Sequence, residues 1–250
     1  MLPYFCSMEA FFDLSLPKSW ADLSDPQLLF FFRQLATDKP KAEIQTLCLC
    51  QWSNVLVRCR LYGSVYLVQH GKQQATLTLH QIVCAITAID FLKSFPPYPI
   101  RIRTIGKAAA IAADFQGVPF STFISADNYY QGFLHTKNEA LLNHLATLLY
   151  PKVKSRHLTT PLLLNAFYWF SSLKHYFARL FPHFLQPMSS SSEDLLGYAP
   201  PIGEVLRTAM NAQIRALTGG NISKEELVLS MDTWRALTEL SLKHLHPKTN

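Results

Sequence analysis

Along the chain the spacing of apolar positions changes several times, and each change marks an element. Residues 14–23, LSLPKSWADL, show no helical period and suggest an extended lead-in. Ser24-Asp25-Pro26-Gln27 then reads as a helix start, with a hydroxyl to cap the first amides, a proline in the first turn and a glutamine that can reach back. The run LLFFFRQLA that follows is apolar nearly all round, which predicts a helix deeply buried or covered by a partner. A second helix is expected over residues 41–52, with Ile44, Leu47 and Leu49 turned inward.

Between 55 and 68 the period drops to two. Val55, Val57, Cys59 and Leu61 alternate with Leu56, Arg58 and Arg60, Tyr62-Gly63-Ser64 offers a turn, and Val65 to Val68 resume a β-branched and aromatic pattern. This predicts a small hairpin, which must pack on helices because a lone two-stranded hairpin is marginal in water. Thr78 and Gln81 repeat the capping pattern and open a helix through QIVCAITAIDFLKSF, halted by Pro96 and Pro97. IRIRTI, residues 100–105, alternates strictly and predicts a third strand.

Helices are predicted at 120–134, 138–150 and 160–181, the last with Leu163, Phe167, Phe170, Phe177 and Phe181 at helical spacing. Residues 187–203, PMSSSSEDLLGYAPPIG, have the Ser, Pro and Gly content of a linker. Two more helices, 204–217 and 224–246, flank Thr218-Gly219-Gly220-Asn221. The expected fold is mainly α, an α-rich α+β chain. A helical-bundle body over 1–186 carries a small β-hairpin or short sheet near 55–68, and the linker leads to a C-terminal helical hairpin over 204–246.

Composition narrows the class. Apolar residues make up 49% and charged residues 16%, against a charged share of about 25% in ordinary domains, so the chain is not of the disordered type. So thin a polar coat leaves apolar surface for a partner or for self-association. The net charge of +6 is spread without a dense block, whereas dedicated nucleic-acid binders concentrate it, so nucleic acid is not the expected main partner. Five cysteines, an odd number with no CxxC, suggest thiols used as small buried hydrophobes in a reducing compartment. The opening MLPYFCSMEAFFDL lacks a basic region, so no signal peptide is expected. The apolar stretch 162–181 is interrupted by Asn165, Lys174, His175 and Arg179, which favours a core helix over a membrane span. A cytoplasmic protein without a membrane span is the resulting expectation.

No residue pattern announces catalysis. His80 and Cys84 share a helical face with Asp90 on the same predicted helix, but a zinc site needs at least three converging ligands and no second pair has metal-binding spacing. Cys48 and Cys50, two apart on a helix, point away from each other. Gly219-Gly220 lacks the lysine of a phosphate loop, no G-x-S-x-G occurs, and the carboxylate pairs Asp22/Asp25 and Glu225/Glu226 sit at helix starts where they complement the dipole. The expectation is a non-enzyme with no catalytic residue, metal or cofactor. Two basic groups remain, Arg101 with Arg103 and Lys152 with Lys154 and Arg156; each is a solvated loop or a contact for an acidic partner or for phosphate.

Aromatic clustering is the most unusual feature: Phe30-Phe31-Phe32, Tyr129-Tyr130 with Phe133, and Phe167-Tyr168-Trp169-Phe170. Successive side chains on a helix fan out by about 100°, so such runs cannot all face one core. Something must cover the other side, either another helix of this chain or a separate protein. Trp20, Tyr129, Tyr130, Phe133, Trp169 and Trp234 are the candidate partner contacts.

The segments LPKSWADLSDPQL, AADFQGVPFSTFISADNYYQGFLHTKNEALLNHLATLLYP, FYWFSSLKHYFARLFPHFLQP, MNAQIRALTGG and MDTWRALTEL together resemble an uncharacterised protein family encoded in bacterial prophages and phage-like elements. The order of the first elements is similar to phage tail-assembly accessory proteins, in which a Pro-x-x-Trp lead-in such as Pro17 to Trp20 precedes the first helix. The resemblance implies a cytoplasmic, helical, chaperone-like morphogenesis factor that binds a phage structural protein. The basic charge departs from many such chaperones, which are acidic. A connector or adaptor of the virion is the alternative, and a weakly nucleic-acid-associated protein the third.

Overall fold

A computed structural model of the chain describes residues 16–181 and 202–245. The architecture is mainly α with a three-stranded and a two-stranded sheet. The chain divides into two compact units, Met1–Pro96 and Pro97–Asn250. The sequence pattern had placed the division at 187–203, most of which lies outside the described residues.

In the first unit a 3-10 turn, Trp20–Asp22, folds the Trp20 ring inward against Phe31 and Phe91, with edge-on geometry and centroids 5.3 and 5.6 Å away. Helix α1, Asp25–Leu35, begins where Ser24 donates its amide (2.9 Å) and its hydroxyl (2.8 Å) to Gln27 Oε1. It buries Leu28, Phe31 and Phe32, leaving Phe30 half-exposed. Helix α2, Lys41–Trp52, buries Ile44, Gln45, Cys48 and Leu49, while Leu47 is only half-buried.

The expected hairpin is a three-stranded antiparallel meander, β1 Val55–Arg60, β2 Val65–His70 and β3 Gln73–Thr78, in that order. Gly71, at φ +58°, opens the two-residue turn that pairs His70 with Gln73 and adds the third strand. A bulge between Val57 and Cys59 shifts the register of β1 on β2. Helix α3, Leu79–Thr87, starts at the Thr78/Gln81 capping box but stops well short of Phe95. Ile89 and Leu92 turn into the interior instead, across a 3-10 turn, Asp90–Lys93, whose Asp90 carboxylate accepts from Gln45 Nε2 at 3.3 Å and pairs with Lys93 at 2.6 Å.

In the second unit the strand expected over 100–105 shrinks to β4, Thr104–Ile105, paired with β5, Ala108–Ala109, about Gly106. Ile102 makes no ladder because side chains hold its backbone: its amide donates to Asn165 Oδ1 (3.0 Å) and its carbonyl accepts from the Tyr150 hydroxyl (2.6 Å). Helices α4, Phe120–Thr136, and α5, Glu139–Leu149, are joined at Lys137, whose φ of +56° turns the chain, and Asn138 caps α5 through the Ala140 amide at 3.0 Å. Gly132 lets them approach closely; a Cβ there would meet Leu141 Cδ1 at 3.1 Å.

Helix α6, Thr160–Leu180, is central: Trp169 to Leu173 are five consecutive buried residues, so the helix is covered on every side at that level. The C-terminal segment forms α7, Ile202–Thr218, α8, Glu225–Ser230, and α9, Thr233–Leu245, with both α7 and α8 against α4. The single helix expected over 224–246 is interrupted at Met231 and Asp232. There the Met231 carbonyl accepts from the Phe120 amide (2.8 Å) and the Thr233 amide donates to the Val118 carbonyl (2.9 Å), backbone bonds to another segment that a continuous helix could not make, and Asp232 Oδ2 accepts from the Gly117 amide (2.6 Å).

Candidate partner-binding groove

Cross-strand partners in an antiparallel sheet point to the same face. The pairs Val57 with Val68 and Tyr66 with Leu77 therefore put one aliphatic face on the meander, and Val55, Val68 and Leu77 form its buried floor. Helix α2 supplies one wall, with Ala42, Thr46, Leu49 and Cys50. Helix α3 supplies the other, with Leu79, Ile82, Val83 and Ile86 at the i, i+3, i+4, i+7 spacing of one helical face. Between them lies an open cavity of about 420 Å³ whose surface is almost entirely apolar.

Helix α3 is the informative element. Its composition, LHQIVCAIT, would let it bury an apolar face, yet none of its residues is buried. Leu79 and Val83 remain 46% and 50% exposed, and Val57 across the groove 43%. Isolated exposed aliphatics are ordinary, whereas these form a contiguous set on a concave apolar surface.

The groove has little chemistry of its own. Burial pushes the Cys48 thiol up to about 12 and raises Cys50 as well, so both stay protonated at neutral pH and are poor nucleophiles. His80 Nε2 and Cys84 Sγ lie 3.6 Å apart on the outer side of α3, and no group of three or more metal-binding side chains converges among the described residues. No helix among them is long and apolar enough to cross a membrane.

The residues that the sequence marked for partner contact lie elsewhere, and three of them are interior. Trp20 is buried in the first unit. Trp169 is fully buried, its indole N–H donating to the Ala113 carbonyl at 2.7 Å and its ring edge-on to Tyr150 and Phe115. Tyr130 is buried against Phe167 and Phe170 and donates to Ser171 Oγ at 3.1 Å; burial raises its phenol above the ordinary range. The expectation that these three offer contact surface is corrected, because the chain itself covers all three side chains. Tyr129, Phe133 and Trp234 are half-buried, stacked on His144, edge-on to Phe167, and bonded to the Asp114 carbonyl at 2.7 Å respectively.

The basic groups do not assemble on a strand. Arg101 lies half-buried with its guanidinium 5.3 Å from the centre of the Trp169 ring, a cation–π position, whereas Arg103 is exposed. Lys152, Lys154 and Arg156 are exposed around a short 3-10 turn, with Arg156 Nε donating to His157 Nε2 at 3.2 Å.

Compared with protein-family models, with curated proteins and with solved structures, the chain matches none. The groove was not visible in the sequence as a site. Its only sequence signal is the apolar face of α3 following an alternating segment, which is equally the signature of an ordinary core helix.

Proposed function

We propose that this chain is a non-enzymatic binding protein that holds an apolar helical segment of another protein in the groove of its N-terminal unit. One observation carries the proposal: α3 presents an amphipathic face across an apolar cavity and buries that face only in part, with Leu79 and Val83 about half-exposed. A helix laid into a groove and anchored at i, i+3, i+4 and i+7 is a recurrent mode of peptide recognition, and it covers the walls and the rim together. The resemblance of much of the chain to prophage-encoded proteins supports a phage structural protein as the partner, with the chain as an assembly factor in the host cytoplasm. The contact residues in this proposal are those of α2, α3 and the sheet, not the aromatic runs.

The test is co-expression with structural proteins encoded beside it, followed by purification through a tag on this chain. A specific structural protein should co-purify with the parent and be lost with Val83→Asp, a change at a half-exposed position whose folding is checked by circular dichroism. Equal recovery of the partner with both chains would reject the groove as the site. The mature particle should lack the chain; its presence there in fixed copy number would favour a structural component.

A further inference from the structure

The charge around the groove narrows what it holds, given that it docks a protein segment as proposed above. From Ile44 to Ile89, the stretch that builds the sheet, α3 and most of α2, the chain carries Arg58, Arg60 and Lys72 and not one Asp or Glu. The carboxylates at its two borders are engaged by their own neighbours, Glu43 by Lys39 at 2.9 Å and Asp90 by Lys93 at 2.6 Å. Arg60 pairs across the ladder with Tyr66, which lines the cavity, so it stands on the groove face at one end of the sheet. Lys72 lies in the turn at the opposite end, beside the His70–Gln73 pair. Both cations are exposed. One exposed cation thus stands at each end of the sheet that floors the trough, Arg60 with its Nε donating to the Gly63 carbonyl.

We infer that the groove takes an acidic amphipathic helix, with aliphatic or aromatic residues along one face and carboxylates at both ends of that face. Val57, Leu79 and Val83 line the cavity and are still 43, 46 and 50% exposed, so a small apolar molecule seated inside would cover them only in part. A helix lying across covers them. Basic or uncharged apolar helices fit the same trough but lack the attraction at its ends, so charge supplies the discrimination.

The experiment uses the full chain and two fluorescein-labelled synthetic helices about four turns long, identical along the apolar stripe and carrying either glutamates or lysines elsewhere. Fluorescence anisotropy should show the glutamate peptide binding at least about tenfold more tightly at low salt, with the gap closing at high salt as the screening length falls. Arg60→Glu combined with Lys72→Glu should remove or invert the preference, and Val83→Asp should weaken both peptides. Equal affinity for the two peptides, each weakened by Val83→Asp, overturns the acidic partner and leaves protein docking standing. Binding of neither peptide, with dodecanoate saturably displacing an anilinonaphthalene probe, overturns both this inference and the docking proposal in favour of a small apolar ligand.

Discussion

Asn165 and Tyr150, both fully buried, are joined by a hydrogen bond from the Asn165 side-chain amide to the Tyr150 hydroxyl at 2.8 Å. The hydroxyl donates onward to the Ile102 carbonyl, and the Ile102 amide returns to Asn165 Oδ1, closing a ring of three residues from three parts of the chain. In a core such a network is strong when complete and costly when broken, because each orphaned group keeps its desolvation penalty. Asn165→Leu leaves the Ile102 amide without its acceptor and removes the bond that the Tyr150 hydroxyl accepts, while the one it donates to Ile102 remains. Urea unfolding should show a loss of about 2–4 kcal/mol, with Tyr150→Phe costing about half as much. A loss within experimental error for Asn165→Leu would remove the network as an anchor of residues 100–105.

The aromatic residues separate by burial. Trp169→Ala deletes a fully buried ring and the bond to Ala113, and should cost about 3–5 kcal/mol or prevent folding. Tyr129→Ala removes a half-exposed ring stacked on His144 at 5.2 Å and should cost about 1 kcal/mol. Thermal unfolding of the pair checks the order, and similar destabilisation by both would contradict the interior placement of Trp169.

Helix α3 depends on its cap because none of its side chains is fully buried. Thr78 Oγ1 accepts from the Gln81 amide at 3.3 Å, and Gln81 Oε1 accepts from the Thr78 amide at 2.9 Å. Thr78→Ala should cost about 1 kcal/mol and speed amide exchange over 79–87 more than elsewhere. The same variant should weaken peptide binding, since a frayed α3 no longer walls the groove. Unchanged exchange in that segment would show that the cap is dispensable.

Cys48 links stability to alkaline pH. Its thiol is raised from the ordinary 9.0 to about 12 by burial, so above pH 9 the unfolded chain loses a proton that the folded chain keeps. The unfolded state then binds fewer protons, and stability falls as pH rises from 9 towards 12. Cys48→Ala should flatten that part of the stability profile measured by urea unfolding. In thiol labelling at pH 8, exposed Cys59 should react at once and Cys48 only on unfolding.

Most helices were legible because their signals are local. The caps at Ser24 and Thr78, the proline in the first turn of α1 and the apolar repeats each act within a few residues. The sequence alone therefore determined a mainly helical chain with a small antiparallel sheet and an interior rich in rings. It did not reveal β3, where QQATLT turns only Ala75 and Leu77 towards the core and so shows little alternation. Nor did it show that IRIRTI would give up its ladder to Asn165 and Tyr150, or that 224–246 would break at Met231 to meet Phe120.

The same distinction governs the site. Aromatic runs announced that rings would need cover, but whether the cover is the same chain or a stranger depends on what packs beside each helix, and around Trp169 the chain supplies it. The groove is built from segments that no local pattern connects, α2, the sheet and α3, and its defining property is the distance left between their side chains. Hydrophobic period specifies which face of an element avoids water. Only the tertiary arrangement fixes whether that face meets a neighbour, as in α6, or a gap, as in α3.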